Sequence, residues 1–203
     1  MAFAKTRLRA GERQLEIVRA VLALAARNSP DAITTQAIAA HMGLTQGAVF
    51  RHFSTREAIW LAVVDWLEES LSETIAAAIA ESCDPVERLQ RTFEAHIAFI
   101  AQYPSAPRLM FNELQKPADN PVKQRVCGLM ERYRTRLIGL LTHAKALGQV
   151  AVDLDEAAAA TLLLGAIQGL VMQTLLAGDP AYLQPVAGRL LPLYLRGIGV
   201  CQP

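Results

Sequence analysis

What this chain lacks narrows it first. Cys83, Cys127 and Cys201 are odd in number and show neither a CxxC nor a Cys/His spacing, so no disulfide framework and no zinc site is expected. Such cysteine usage fits a reducing, cytoplasmic setting. His96 and His143 lie far apart in the chain, no His/Asp/Glu group has metal-ligand spacing, and no Ser or Cys has an identifiable base. The constellation an enzyme needs is missing, and no catalytic residue, metal or cofactor is expected. Aromatics supply only 6% of the residues although 52% are apolar, with Ala and Leu dominant, which favours helix and argues against sheet. The N-terminal MAFAKTRLRAG has no apolar core of the kind a signal peptide carries. The most apolar run, Ala157 to Met172, is interrupted by Gln168 and falls short of the ~20 apolar residues of a membrane span. A soluble, all-α protein without a membrane partner is the expectation.

There is little net charge, but what there is lies unevenly. Residues 1–60 hold eight Lys and Arg against four Asp and Glu, a net of +4, which leaves −3 for the remaining 143 in a chain of +1. A basic end points to a polyanion there, or to plain solvation. At 203 residues the chain accommodates one large domain or a small one with a bigger companion.

The stretch from Thr34 to Ile59 stands out. Ala39, Gly43 and Val49 are a small residue, a glycine four on and a β-branched residue six further, as two short helices crossing steeply require. Gly43 ends the first of them in the left-handed conformation, and Val49 sits under the crossing. Around this corner the spacing predicts about nine helices. The first runs from Gly11 to near Asn28, with Leu15, Val18, Leu22 and Ala25 on one face. Thr34 caps the second, and Thr45 caps a third of barely two turns ending near His52, too short to persist unaided. A Ser54-x-x-Glu57 capping box starts a long fourth helix towards Ala80. Further helices are predicted from Asp84-Pro85 to Tyr103, Pro107 to Gln115, Val122 to Ala146, Asp155 to Ala177, and Pro180 to Gly197. Within the last, Pro192 is expected to kink or split the helix. The expected organisation is a flexible basic arm (1–10), a helix-turn-helix domain (11–54) and a larger helical domain (55–203).

At 100° per residue with Val49 inward, Thr45 and Phe53 lie near the buried side of the third helix. Gly47, Ala48, Phe50 and Arg51 point away, flanked by Gln46 and His52. Small residues permit close approach to another surface, and Gln and Arg have the donors to read base edges or phosphates in a major groove. The helix starts at Thr34 and Thr35 and the first-turn Arg56 bring free amides and a cation to the same side, where phosphates bind. Taken singly, His52 is equally a surface histidine and Arg56 equally a solvated helix-start residue. Lys5, Arg7 and Arg9 read as a solubilising tail or as a minor-groove arm.

This stretch resembles the DNA-binding domain of the TetR family of transcriptional regulators. The match runs through Thr34, Ile38, Ala39, Gly43, Leu44, Thr45, Gly47, Phe50, His52, Phe53, Arg56 and Glu57, within about 26 continuous residues. The resemblance implies DNA contacts at Thr35, Thr45, Gln46, Phe50, His52 and Arg56. Position 50 is often Tyr in that family, and Phe50 has no hydroxyl for a phosphate. It also implies a regulatory domain that dimerises through its last two helices and encloses an effector pocket.

The remaining sequence agrees in part. The helix from Asp155 to Ala177 is apolar almost all round and must be covered on every side. Part of it, with Ala160, Leu164, Gly165, Ile167, Gly169 and Val171, is expected on a second copy, joined by Leu190, Leu193 and Leu195; a central core helix in a monomer is the alternative. Phe93, His96, Ile97, Ile100, Tyr103, Met110, Phe111, Asn112, Met130, Tyr133, Leu137, Gln168 and Met172 are the effector-pocket candidates, or ordinary core. His96, Tyr103, Asn112 and Gln168 are their polar points, suited to a hydrophobic or amphiphilic small molecule. Arg125, Arg132 and Arg136 share one face of the seventh helix, solvated or facing an anionic effector. The expected function is a homodimeric regulator, a repressor released from a palindromic DNA operator by that effector; the alternative is a helical ligand carrier or a co-regulator without DNA binding of its own.

Overall fold

The computed structural model describes residues 10–200, so Lys5, Arg7, Arg9 and Cys201 lie outside it. Among the described residues nine α-helices run in order: α1 Ala10–Ala25, α2 Thr35–His41, α3 Gln46–Phe50, α4 Arg56–Ile79, α5 Pro85–Gln102, α6 Ser105–Leu114, α7 Pro121–Ala146, α8 Glu156–Ala177 and α9 Leu183–Gly197. Single 3-10 turns at Pro30–Ala32 and Pro180–Tyr182 precede α2 and α9, and no strand occurs among the described residues.

The chain forms two compact units that do not follow chain order. The first comprises residues 1–67 and 105–126, the second 68–104 and 127–203. The sequence boundary at residues 54 and 55 thus falls inside the first unit, which also takes in α6 and the start of α7. In that unit α1 buries Ile17, Val18, Val21, Leu22 and Ala25, a stripe at helical spacing, and packs against α2 and α6. α4 begins one residue later than a Ser54 box would place it. Thr55 is the cap, its hydroxyl accepting from the amide of Ala58 at 3.0 Å, so Glu57 does not close a box with Ser54.

The second unit is built on α5, α8 and α9, with α9 packed against both of the others. Leu89, Phe93, Leu137, Leu141 and Leu163 are its most enclosed large side chains. Tyr194 of α9 donates its hydroxyl to the carbonyl of Ala159 in α8 at 3.0 Å, so the aromatic ring is buried without stranding its polar end. α9 runs through Pro192 without a break, contrary to the expected split. Packing on both sides holds a helix that lacks one hydrogen bond.

α8 is not enclosed on every side. Ala159, Ala160, Leu163, Ile167, Leu170 and Val171 face the core, whereas Leu162 (60% exposed), Gly165, Gln168, Gly169, Met172 and Leu176 (73%) form one exposed stripe. Ala160, Ile167, Val171 and Leu195, expected on a second copy, are used inside the chain's own fold. At 22 residues α8 is, by length and composition, long and apolar enough to cross a bilayer, beyond the run counted from sequence; a core helix passes the same test, and one full face of α8 is core.

Charged side chains tie helices together rather than lining a cavity. In the first unit Arg125 pairs with Asp65 at 2.6 Å; in the second, Arg132 grips Glu68 through two nitrogens at 2.7 and 2.9 Å, and Arg136 donates to Ser72 at 3.1 Å. The arginine row of α7 is therefore matched to α4 in each unit and does not await an anionic effector.

Asp84 caps α5, accepting from the amide of Glu87 at 2.7 Å and from the side chain of Gln149. The Glu87 amide holds the Asp84 carboxyl below its ordinary 3.8, with help from Gln149. A carboxyl depressed in the folded state stabilises the fold above its unfolded pKa, and the contribution is lost as pH falls through the folded value. Asp84→Ala is expected to cost about 1 kcal/mol at pH 7, with the deficit narrowing below about pH 4. Urea melts of both proteins at pH 7 and pH 3.5 check this; an equal deficit at both would remove the ionised cap as its cause.

Candidate nucleic-acid interface

The corner predicted from Ala39, Gly43 and Val49 is present in the first unit. Thr34 accepts from the amide of Ala37 at 3.0 Å and starts α2; Thr45 accepts from the amide of Ala48 at 3.2 Å and starts α3. Gly43 has φ 64°, where a side chain would be strained, and the turn closes with the amide of Leu44 on the carbonyl of Ala39 at 2.8 Å. Ala39 and Val49 are buried at the crossing, and Phe53 follows them.

α3 has only five residues and is held from outside. Besides Val49, its first residue Gln46 donates to the hydroxyl of Thr35 at 2.7 Å, joining the starts of α2 and α3. Thr35 is only 8% exposed, so its hydroxyl orients Gln46 rather than presenting itself outward. Gln14 of α1 donates to the carbonyl of His52 at 3.1 Å and steadies the end of α3. Thr34, Thr45, Gln46, Gly47, Phe50 and Arg51 are exposed, His52 is half-buried, and Ala48 is half-buried instead of fully outward. No atom lies within 4 Å of where a Cβ at Gly47 would sit, so that position opens onto free space.

Arg56, exposed at the start of α4, has partners within its own unit. Its guanidinium donates to the carbonyls of Ile33 at 3.2 Å and Pro30 at 3.5 Å and stacks over Trp60 at 5.1 Å from the ring centre. It pins the turn that leads into α2. That turn is tied a second time: Asp31 accepts from Lys116 at 2.6 Å and from Asn112 at 3.2 Å. Lys116, then Asn112, hold the Asp31 carboxyl below its usual value, with the Arg56 charge adding to the effect. Asn112 therefore works in the first unit, and Asp31, counted in the sequence only as a charge, is the partner it finds. Nothing in local sequence pairs residue 31 with residues 112 and 116.

The other pocket candidates divide between the units. Met110 is buried and Phe111 half-buried in the first unit. In the second, Phe93, Ile97, Ile100 and Leu137 are core, Met130 is half-buried, and Tyr103 stacks on Phe99 with ring centres 4.9 Å apart. His96 meets Tyr133 edge-on, with Nδ1 3.0 Å from the Tyr hydroxyl. Burial pushes the His96 imidazole down to about 4 and the Tyr133 phenol up beyond its normal range. Gln168 and Met172 do not join them: they stand on the exposed stripe of α8, because the 3.6-residue period that turns Ile167 and Val171 inward turns these outward.

A helix-turn-helix whose second helix exposes small and amide-bearing residues, followed by a helical regulatory unit, defines a class of DNA-binding transcriptional regulators. Comparison with known proteins agrees. The family profile described as "Bacterial regulatory proteins, tetR family" matches residues 17–63, and that described as "Tetracyclin repressor-like, C-terminal domain" matches residues 85–189. The chain belongs to the TetR family. Its members are DNA-binding regulators, not enzymes. Among curated relatives, the nucleoid occlusion factor SlmA of Shewanella woodyi is 26% identical over 161 residues, 79% of this chain and 82% of that protein. Among solved structures, the fatty acid degradation regulator FadR of Bacillus halodurans has a TM-score of 0.82 at 18% identity, covering 96% of this chain and 98% of that one. FadR of Bacillus subtilis, in complex with stearoyl-CoA, has a TM-score of 0.75 at 20% identity, covering 91% and 98%.

Gly47→Glu is expected to melt with the wild-type protein while losing DNA binding, since its side chain enters free space and brings a carboxylate against phosphate. Arg56→Ala is expected to do the reverse in stability, lowering it by about 1 kcal/mol through the loss of charge-assisted bonds. Thermal melts with gel shifts on the DNA upstream of the gene separate the two; a folded Gly47→Glu protein that still shifts DNA would reject α3 as the reading helix.

Proposed function

We propose that the chain is a homodimeric repressor that sets α3 of each protomer in successive major grooves of a palindromic operator, about 34–36 Å apart, and is released by a hydrophobic or amphiphilic effector bound in the second unit. The observation that carries this reading is the exposed face of α3, anchored by buried Val49 and capped by Thr45. Gln46, Arg51 and His52 read base edges or phosphates, Gly47 allows close approach, and Phe50, 41% exposed, contacts an apolar base edge. Thr34 and Thr45, at the starts of α2 and α3, bring free amides to phosphate, and Thr35 and Arg56 hold the frame.

The dimer contact is assigned to the exposed stripe of α8 with Leu193 of α9, 61% exposed. A leucine moved from water to an interface is worth roughly 1.5–3 kcal/mol, and Leu162, Leu176 and Leu193 are presented together with the small residues Gly165 and Gly169. For the effector, the His96 and Tyr133 pair supplies neutral hydrogen bonding in an apolar interior. A ligand that binds one conformation better than the other shifts the spacing of the two reading heads and releases DNA.

Leu162→Glu is expected to leave a monomer by sedimentation and to lose operator binding; a dimer that survives it would move the contact elsewhere. Wild-type affinity should fall steeply as salt rises, because phosphate contacts release counterions. A folded dimer that never shifts its own upstream DNA at any salt concentration would instead be the carrier or co-regulator. The depressed His96 gives a pH signature. The unfolded chain takes up a proton near pH 6.5 that the folded chain refuses down to about 4, so stability falls across that window as pH drops. In His96→Gln, melts between pH 6.5 and 5 should lose most of that slope.

A further inference from the structure

Between α5 and α9 the second unit carries an open groove of about 390 Å³, apart from the His96 and Tyr133 pair and apart from the exposed stripe of α8. Its size lies within the ~300–1,000 Å³ of small-molecule sites. Phe93, Ile97, Leu191 and Leu195 form an apolar floor, and Gly188 and Pro192 lie on the α9 wall. Three observations give the groove a chemical sign. Glu94 is the one charged residue lining it, is exposed, and has no ion-pair partner among the described residues. Pro192 has no N–H, so the carbonyl of Gly188, one helical turn earlier on the same wall, lacks the donor that position 192 ordinarily supplies. Gly188 itself leaves the wall open, with no atom within 4 Å of where its Cβ would lie. A carboxylate and an under-used carbonyl beside an apolar floor accept hydrogen bonds and attract positive charge; no cation lines the groove to receive an acid.

We propose that this groove is a second ligand site, for a small cationic amphiphile: a primary amine on an apolar body. The ammonium bonds the Glu94 carboxylate and the Gly188 carbonyl, and the apolar part lies over Phe93, Ile97 and Leu195. Because α9 forms both the groove wall and part of the proposed dimer contact, occupation is felt at the dimer. Binding itself does not depend on that contact or on DNA recognition.

The test is calorimetric titration of the full chain with decylamine below its micellar concentration, with decanoate and decanol as probes of the same apolar length. Decylamine is expected to bind at one site per chain and more tightly than either control. Glu94→Gln should weaken it about tenfold, the scale of one charge-assisted hydrogen bond. Gly188→Leu, which fills the groove from a helical position with ordinary backbone angles, should abolish it while keeping the wild-type melt. Equal binding of all three probes, or decylamine binding unchanged in both variants, overturns the proposal. Loss of the dimer in Gly188→Leu also overturns it, since the occupant of the groove would then be a second copy of the chain. Operator binding by wild-type protein is scored separately, so a failure here and a failure of the repressor reading remain distinguishable.

Discussion

A five-residue helix does not hold itself in water, and the proposed DNA-reading face of this protein lies on one. The burial of Val49 beneath the α2 and α3 crossing is the interaction on which the rest depends. It requires Ala39 to be small and Gly43 to turn left-handed, and α1 packs against α2. Once that contact is made, helical geometry alone aims Gln46, Gly47, Phe50 and Arg51 outward. The caps at Thr34 and Thr45 and the Gln46 bond to Thr35 then remove the remaining freedom at the starts of both helices. The proposed reading of DNA depends on that rigidity, since a side chain discriminates bases only if its backbone is already in place.

The charged residues show how far composition and placement diverge. A basic N-terminal third suggested cations free for a polyanion, yet Arg56 is spent on two backbone carbonyls and an indole, and Arg13 on Glu16. Asp31, Asn112 and Lys116 fasten the turn before α2 to the end of α6, and Arg125 and Arg132 of α7 pair with Asp65 and Glu68 of α4. Exposed ion pairs of this kind contribute little stability each, roughly 0–1 kcal/mol.

In the second unit polarity is scarce and each instance is informative. His96 and Tyr133 satisfy one another within an apolar interior that keeps the imidazole neutral. Pro192 survives inside α9 because neighbouring helices pack it from both sides, at the expense of one backbone donor. α8, apolar all round, divides its circumference between the core and an exposed face. The proposed dimer contact, the proposed effector site and the groove beside α9 all draw on the same small set of helices.

Local pattern determined much of this protein. Helical periodicity located the nine helices of the described residues, Asp84-Pro85 marked a boundary correctly, and the spacing of Ala39, Gly43 and Val49 with the Thr caps laid out the corner. These features depend on residues within a turn or two of each other, where backbone geometry leaves few options. Only the tertiary structure decided which side chains were already engaged. Thr35 is bonded by Gln46 and Arg56 bonds the carbonyls of Ile33 and Pro30, Asn112 bonds Asp31, Gln168 and Met172 stand on the surface, and α6 belongs to the unit of the N-terminal helices. The engagements of Thr35, Arg56, Asn112 and Lys116 rest on partners distant in the chain, from 11 residues for Gln46 and Thr35 to 85 for Lys116 and Asp31. Periodicity tells a residue which face of its own helix it occupies, and says nothing of what the fold brings to that face.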